Sequence, residues 1–208
     1  MTDEPINPIG FANFAKSYAD SAEYLIDGIN TKELNVRFHA PVDFLLAHAL
    51  ELNLKALYLK CGKSDEDVRN FGHDIAKLYQ DAKRGSCSAP VIKHLEHHVR
   101  IFWKTTLRRA RDVHREKVEG YLHSIDKNNE EEFGIYDNET IGRELPELWP
   151  SIHWFSELHL SDGSEFRYLK TGLKQRLEIR VFGLEVDVHN VTALQVCKIF
   201  HSHFRNSK

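Results

Sequence analysis

Four ionisable residues that are close together in the chain carry the strongest chemical signal in this sequence. Glu51 and Lys55 stand four residues apart in a nearly apolar stretch, and the acid comes first, which is the better order for an ion pair within a helix. His73 and Asp74 follow after a short polar segment. Because an unpaired charge is costly in an apolar interior, Glu51 needs partners, and His73 is the natural one. We predict a structural polar network of Glu51, Lys55, His73 and Asp74.

A row of cations further along the chain forms a second group. Its members recur every three or four residues, so they would lie along one edge of a helix: Lys93, His97, Arg100, Lys104, Arg108, Arg111 and Arg115. Such a row binds a phosphate backbone with salt-dependent, sequence-independent affinity. Five of them are therefore candidate nucleic-acid-binding residues: Arg100, Lys104, Arg108, Arg111 and Arg115. The alternatives are a solvated helix face and a row neutralised by the acidic segment that follows it.

Three histidines suggest a metal site, which we do not predict. His94 would lie beside both His97 and His98 on a helix, but no Asp, Cys or paired Glu nearby completes a ligand set. The sequence also lacks a glycine-rich nucleotide-binding loop. The expectation is therefore no metal and no cofactor.

Four helices are predicted to position these residues. The first runs from about Phe11 to Gly28, with Phe14 among the residues of its inner face, and the second begins at Pro41 and ends before Gly62. The segment after it, through Asp67, reads as a polar break. A third helix begins near His73, and a long fourth helix spans about 90–122 with a continuous apolar face.

The second half of the chain is more varied. Residues 123–147 are rich in acids and indicate a loop-rich insertion. A short apolar helix is predicted from Leu148. Alternating apolar and charged residues on either side of Phe182-Gly183 indicate a β-hairpin, followed by a terminal helix capped by Asn190; hairpin and helix together span about 176–205.

Composition limits the possible classes. With 208 residues, 41% of them hydrophobic, the chain is expected to form one domain, and a net charge of −3 gives no overall preference for nucleic acid or membranes. Three scattered cysteines indicate neither a disulfide framework nor a zinc site, and so a reducing compartment. The N-terminus does not resemble a signal peptide, and no apolar run approaches the ~20 residues of a membrane span. We expect a cytoplasmic protein.

The helix carrying Glu51-x-x-x-Lys55-Ala56, followed by Gly72-His73-Asp74-Ile75-x-x-Leu78, resembles the HEPN superfamily of small helical bundles. The match covers roughly residues 11–110, and Phe166-Arg167-Tyr168 is similar to an Arg-Tyr element of some members. The resemblance implies a mainly α, HEPN-like helical bundle, here with a small C-terminal β-hairpin, that commonly forms homodimers through its helices.

Enzymes of this superfamily are generally metal-independent ribonucleases that use an Arg, four to six intervening residues and a His across a dimer. Arg109 and His114 fit that spacing, although Ala110 replaces the polar residue that often follows the Arg. In such a site the His would transfer a proton and the Arg would stabilise charge on phosphate. The two residues lie about 140° apart on one helix, so a helix break or a second subunit is needed to bring them together.

Two hypotheses follow from these observations. The first is a non-catalytic HEPN-like interaction module that binds a protein or an RNA partner. The second is a ribonuclease of a defence or toxin–antitoxin system, with Arg109 and His114 as its catalytic residues. The bare sequence slightly favours the module.

Overall fold

The computed structural model describes residues 7–34, 40–122, 145–160, 178–181 and 184–205, and this part of the chain is mainly helical, as predicted. Its helices are α1 (Pro8–Asn30), α2 (Ala40–Lys60), α3 (Asp65–Asn70), α4 (Ile75–Arg84), α5 (Ala89–Leu122), α6 (Leu148–Leu160) and α7 (Val188–Arg205). None of these described helices is both long and apolar enough to cross a lipid bilayer.

Helix α2 is the centre of the bundle. It contacts α1, α3, α4, α6 and α7. Its buried residues point in several directions, so that polar side chains such as Asp43, Glu51 and Asn53 are buried along with its leucines and alanines. A helix packed by neighbours on most sides has few exposed positions, which explains how a charged residue of α2 comes to lie in the interior.

Helix α1 packs on α2 through small residues. The buried positions are the alanines at three- and four-residue spacing: Ala12, Ala15, Ala19 and Ala22. Phe14, which the sequence placed on the inner face, is instead 66% exposed, so that prediction is wrong. Alanine side chains allow two helix axes to approach closely, whereas a phenylalanine at this contact would hold them apart. The predicted stop at Gly28 is also wrong: α1 continues to Asn30, and Gly28 packs against Leu34.

The segment after α2 contains a helix that the sequence analysis missed. Helix α2 ends at Lys60 and is followed by Gly62, which adopts a left-handed φ of 79°. Gly62 N donates to Leu59 O, and Lys63 N donates to Tyr58 O. The predicted polar break then contains α3, which begins with a capping box between Ser64 and Asp67. The capping box was readable in the sequence, but a single polar turn resembles a loop when only hydrophobic periodicity is considered.

Side chains also set the starts of α4 and α7. Asp74 is the N-cap of α4, and its Oδ1 accepts a hydrogen bond of 2.8 Å from Lys77 N. Helix α7 starts at Val188, two residues before the predicted cap, and Asn190 lies inside it and is buried. Asp187 caps the helix instead, and its Oδ1 accepts a hydrogen bond of 3.0 Å from Asn190 N. Asp and Asn are both common N-cap residues, so the sequence alone did not indicate which of the two caps α7.

Helix α5 lies on the core through Ile92, Leu95 and Val99, as its periodicity predicted. Its largest buried residue is Trp103, whose Nε1–H donates to Thr192 Oγ1 of α7 over 3.0 Å. The predicted acidic insertion falls largely on residues 123–144, which lie outside the described residues. Arg167 and Tyr168 also lie outside them.

Two short strands precede α7. They are β1 (Glu178–Val181) and β2 (Leu184–Asp187), and they pair antiparallel with Ile179 opposite Val186. The two residues between the strands lie outside the described part of the chain, and so do the side chains of most strand residues.

Cys61 and Cys87 form a disulfide bond, which corrects the expectation that no disulfide is present. Their Cα atoms lie 5.7 Å apart, because the residue after α2 and the segment between α4 and α5 meet in the folded bundle. Cys197 is a buried free thiol. Spacing in the sequence did not indicate this pair, since tertiary packing brings it together. The bond removes the basis on which the sequence predicted a reducing compartment.

We expect the double substitution Cys61→Ser/Cys87→Ser to lower the free energy of unfolding by about 3 kcal/mol, because the bond closes a loop with a sequence separation of 26 residues in the unfolded chain. Urea denaturation with and without a reductant measures the change. The matched control is Cys197→Ser under the same two conditions, which should leave the effect of reductant intact. Three reactive thiols instead of one in unreduced, denatured protein would contradict the bond.

Candidate functional site

The centre of the candidate site is the carboxylate of Glu51, which is only 3% exposed. Its Oε1 accepts a hydrogen bond of 2.5 Å from Lys55 Nζ. Its Oε2 accepts from His73 Nδ1 at 3.1 Å and from His159 Nε2 at 2.6 Å, and His48 Nδ1 lies 3.8 Å from the same oxygen. The carboxylate is thus surrounded by one amine and three imidazoles, which we call the Glu51 cluster.

Three parts of the fold supply this cluster. Helix α2 carries His48, Glu51 and Lys55 on one side, since residues three and four apart share a helix face. The turn between α3 and α4 supplies His73, directly after Gly72, which has a left-handed φ of 56°. Helix α6 supplies His159, which is buried.

Asp74 belongs to the frame around the cluster and holds α4 against α6. Ser156 Oγ donates to Asp74 Oδ1 at 3.1 Å and accepts from Ala76 N at 2.9 Å. Because Ser156 precedes His159 by three residues on α6, this contact fixes the part of α6 that carries His159. The structure therefore brings Glu51, Lys55 and His73 together, and places Asp74 at the adjoining helix junction.

His48, His159 and Ser156 were not predicted from the sequence as members of this site. His48 had a readable signal, because it precedes Glu51 by three residues on the same predicted helix. His159 also follows Ser156 at helical spacing on an otherwise apolar helix. No local pattern identifies His159 as a partner of Glu51, since 108 residues separate them.

The cluster changes the acidity of its members. Burial raises the pKa of Glu51, but the hydrogen bonds from His159, Lys55 and His73 outweigh it and lower that pKa from 4.5 to about 2. Burial, with the neighbouring His159, lowers the pKa of His48, although Glu51 acts in the opposite direction. Glu51 is therefore an anion at neutral pH, and His48 favours the neutral imidazole.

The cation row of α5, defined by Lys93, His97, Arg100, Lys104 and Arg108, lies on the outside of the bundle. All five side chains are exposed. The four Lys and Arg members form no ion pair with another residue in the described ranges. The side chains of Arg111 and Arg115 lie outside the described residues. At 1.5 Å per residue, the row from Lys93 to Arg108 extends over about 22 Å.

One end of the cation row borders a groove of about 450 Å³. Lys93 and Arg100 line one side of this groove, and Glu147 and Trp149 line the other. Glu147 belongs to the end of the predicted acidic insertion, so at least this residue of the segment lies near the row. Tyr79 and Lys83 also bind Glu96 here, at 2.6 and 2.7 Å.

The predicted catalytic pair is only partly described. Arg109 is exposed on α5, next to the cation row. His114 belongs to the same helix, but its side chain lies outside the described residues.

Two exposed histidines of α5 lie with their rings close together. The ring centroids of His94 and His98 lie 4.1 Å apart. These histidines are not the metal-binding candidates. Within the described ranges, the three side chains that lie close enough together to share a metal ion are His48, Glu51 and His159.

The chain was compared with protein-family models, with curated proteins and with solved structures, and none of the three comparisons gave a match.

We expect Glu51→Gln to lower the free energy of unfolding at pH 7 by about 3 kcal/mol, because it leaves Lys55 and the imidazoles without their anion. A carboxyl with a lowered pKa stabilises the fold above pH 4.5 and loses this effect as the pH falls towards 2. Acidification from pH 5 to 3 should therefore destabilise the variant less than the wild type. Urea denaturation at each pH measures both effects.

The matched control is Glu23→Gln. Glu23 also pairs with a lysine at 2.5 Å, but both side chains are more than a third exposed, so a change below about 1 kcal/mol is expected. Equal losses in the two variants would show that the burial of Glu51 does not matter.

Proposed function

We propose that this protein is a non-catalytic, HEPN-like interaction module that binds single-stranded RNA along α5. The observation that supports it best is the cation row: four exposed Lys and Arg side chains without an ion pair among the described residues, on one edge of a rigid helix. Cations that recur every three or four residues are about 4.5–6 Å apart along the helix axis, a spacing suited to following a flexible phosphate backbone.

The Glu51 cluster supports the proposal in a different way. Its contacts hold α2, the α3–α4 turn and α6 together by charge-assisted hydrogen bonds. Helix α5 packs on α4, α6 and α7, so the cluster stabilises the frame on which α5 lies. In this proposal the cluster is structural, and the ligand binds elsewhere. The choice of RNA over DNA depends on the HEPN resemblance of Glu51, Lys55, His73 and Asp74.

We further propose a homodimer, with α5 near the subunit interface. In that arrangement the cation rows of two copies would form a longer basic surface. Size-exclusion chromatography with light scattering measures the mass directly. A monomer at the concentrations used for RNA binding would remove this part of the proposal.

The alternative function is a metal-independent ribonuclease. It is favoured by the exposure of Arg109 next to the cation row, where a bound phosphate would lie. Arg109 would stabilise charge on that phosphate, and His114 of a second subunit would transfer the proton of the 2′-hydroxyl.

We expect labelled, unstructured RNA to bind with a log–log salt slope of about −3, because four phosphate contacts to a single strand contribute about −0.7 each. Arg100→Glu/Lys104→Glu should weaken binding at least tenfold and roughly halve the slope. Fluorescence anisotropy at several salt concentrations measures both quantities. Single-stranded DNA of the same sequence tests the preference for RNA.

The control double variant is Lys63→Glu/Arg69→Glu, which changes the charge equally on exposed residues near α3. Wild-type affinity in Arg100→Glu/Lys104→Glu would show that the cation row is not the binding surface. Cleavage of the RNA in the presence of a chelator, abolished by His114→Ala and by Arg109→Ala, would replace the module with the ribonuclease.

A further inference from the structure

Several imidazoles converge on a single oxygen atom in the Glu51 cluster. Lys55 occupies Oε1 of Glu51, whereas Oε2 faces His159 Nε2 at 2.6 Å, His73 Nδ1 at 3.1 Å and His48 Nδ1 at 3.8 Å. One nitrogen of His48, one nitrogen of His159 and a carboxylate oxygen of Glu51 all lie within 4.8 Å of one another. Lys55 and His73 already donate to this carboxylate, and two further imidazole nitrogens lie within reach of the same side chain.

The separations are close to those between the ligand atoms of a bound metal ion. A tetrahedral zinc ion with bonds of about 2.0–2.1 Å holds its ligand atoms roughly 3.3 Å apart. The contacts of Oε2 to the two nitrogens fall on either side of that value. Rotation of the His48 and His159 rings is the adjustment that zinc binding would require.

The surroundings also suit a bound ion. Glu51 and His159 are buried, and the side chain of His48 is 25% exposed. The His48 ring lies against Tyr18 and Phe44, with centroid distances of 5.3 and 4.5 Å. Aromatic neighbours of this kind restrict the orientation of a ligand ring. His73, whose side chain is 65% exposed, stands on the solvent side, where an ion would enter.

We infer that His48, Glu51 and His159 form a binding site for a divalent transition-metal ion, best suited to Zn²⁺, with His73 at its entrance. Two imidazoles and one carboxylate are a ligand set that zinc accepts while leaving a further position open. On binding, the ion replaces the hydrogen that joins His159 Nε2 to Glu51 Oε2 and enters the 3.8 Å gap between this oxygen and His48 Nδ1. Each ligand nitrogen then directs its lone pair to the metal, and its proton moves to the other ring nitrogen or is released to solvent.

The charge of Lys55 affects metal binding and the ion-pair network in opposite directions. Its ammonium group neutralises Glu51 and lies close to the place where a dication would bind. It therefore opposes the ion electrostatically while it holds Oε1 away from the imidazoles. Removal of this charge should strengthen metal binding, whereas it would weaken a cluster that is only an ion-pair network.

The test is a titration of protein without a polyhistidine tag, first treated with a chelator and then dialysed. We expect one equivalent of Zn²⁺ per chain by calorimetry, and the visible absorption of tetrahedral Co²⁺ when cobalt is used as the probe. His159→Ala and His48→Ala should each weaken binding at least tenfold. Lys55→Met should strengthen it several-fold, with folding checked by circular dichroism.

The matched controls are His153→Ala, an exposed histidine on the same helix as His159, and His94→Ala on α5. Both should bind as the wild type does. Absence of saturable binding would overturn the inference, and so would binding that His94→Ala removes or that His48→Ala leaves unchanged. No RNA is used, so the result is independent of the proposed RNA surface.

Discussion

The burial of the Glu51 carboxylate is the constraint on which the rest of the structure depends. An anion at this depth is tolerated only if several donors reach it with good geometry. These donors come from α2 itself, from the α3–α4 turn and from α6. The position of Glu51 therefore restricts how three separate parts of the chain are arranged around the central helix.

Part of this arrangement was predictable from the sequence. The four-residue spacing of Glu51 and Lys55, in an apolar stretch, indicated a buried pair, and the need for a further partner pointed to His73. His159 was not predictable as a partner, because local patterns do not specify which distant residue completes a buried charge. The same reason applies to Cys61 and Cys87, which meet only after α2, α4 and α5 have packed.

Helix boundaries and buried helix faces were likewise predictable only in part. The long helix of residues 89–122 was predicted closely, since its apolar residues recur over many turns. Phe14 was wrongly assigned to the inner face of α1, because it is more hydrophobic than the alanines that are buried there. The other residues of the predicted face, Tyr18, Ala22 and Leu25, do pack on the core. What decides that face is the close approach of α1 and α2, which favours small residues over large ones. Hydrophobicity alone contains no information about the distance between two helices.

The disulfide bond between Cys61 and Cys87 has a consequence for motion. The segment between the two cysteines contains α3, α4 and the turn that carries His73 and Asp74. This segment is a covalent ring whose two ends are fixed beside each other, so the distance that the turn can move from the end of α2 is limited by the length of α4 and of the segments that join it to the two cysteines. Reduction of the bond would remove this limit. The freedom of the turn that carries His73 therefore depends on the redox state of two cysteines that do not touch Glu51.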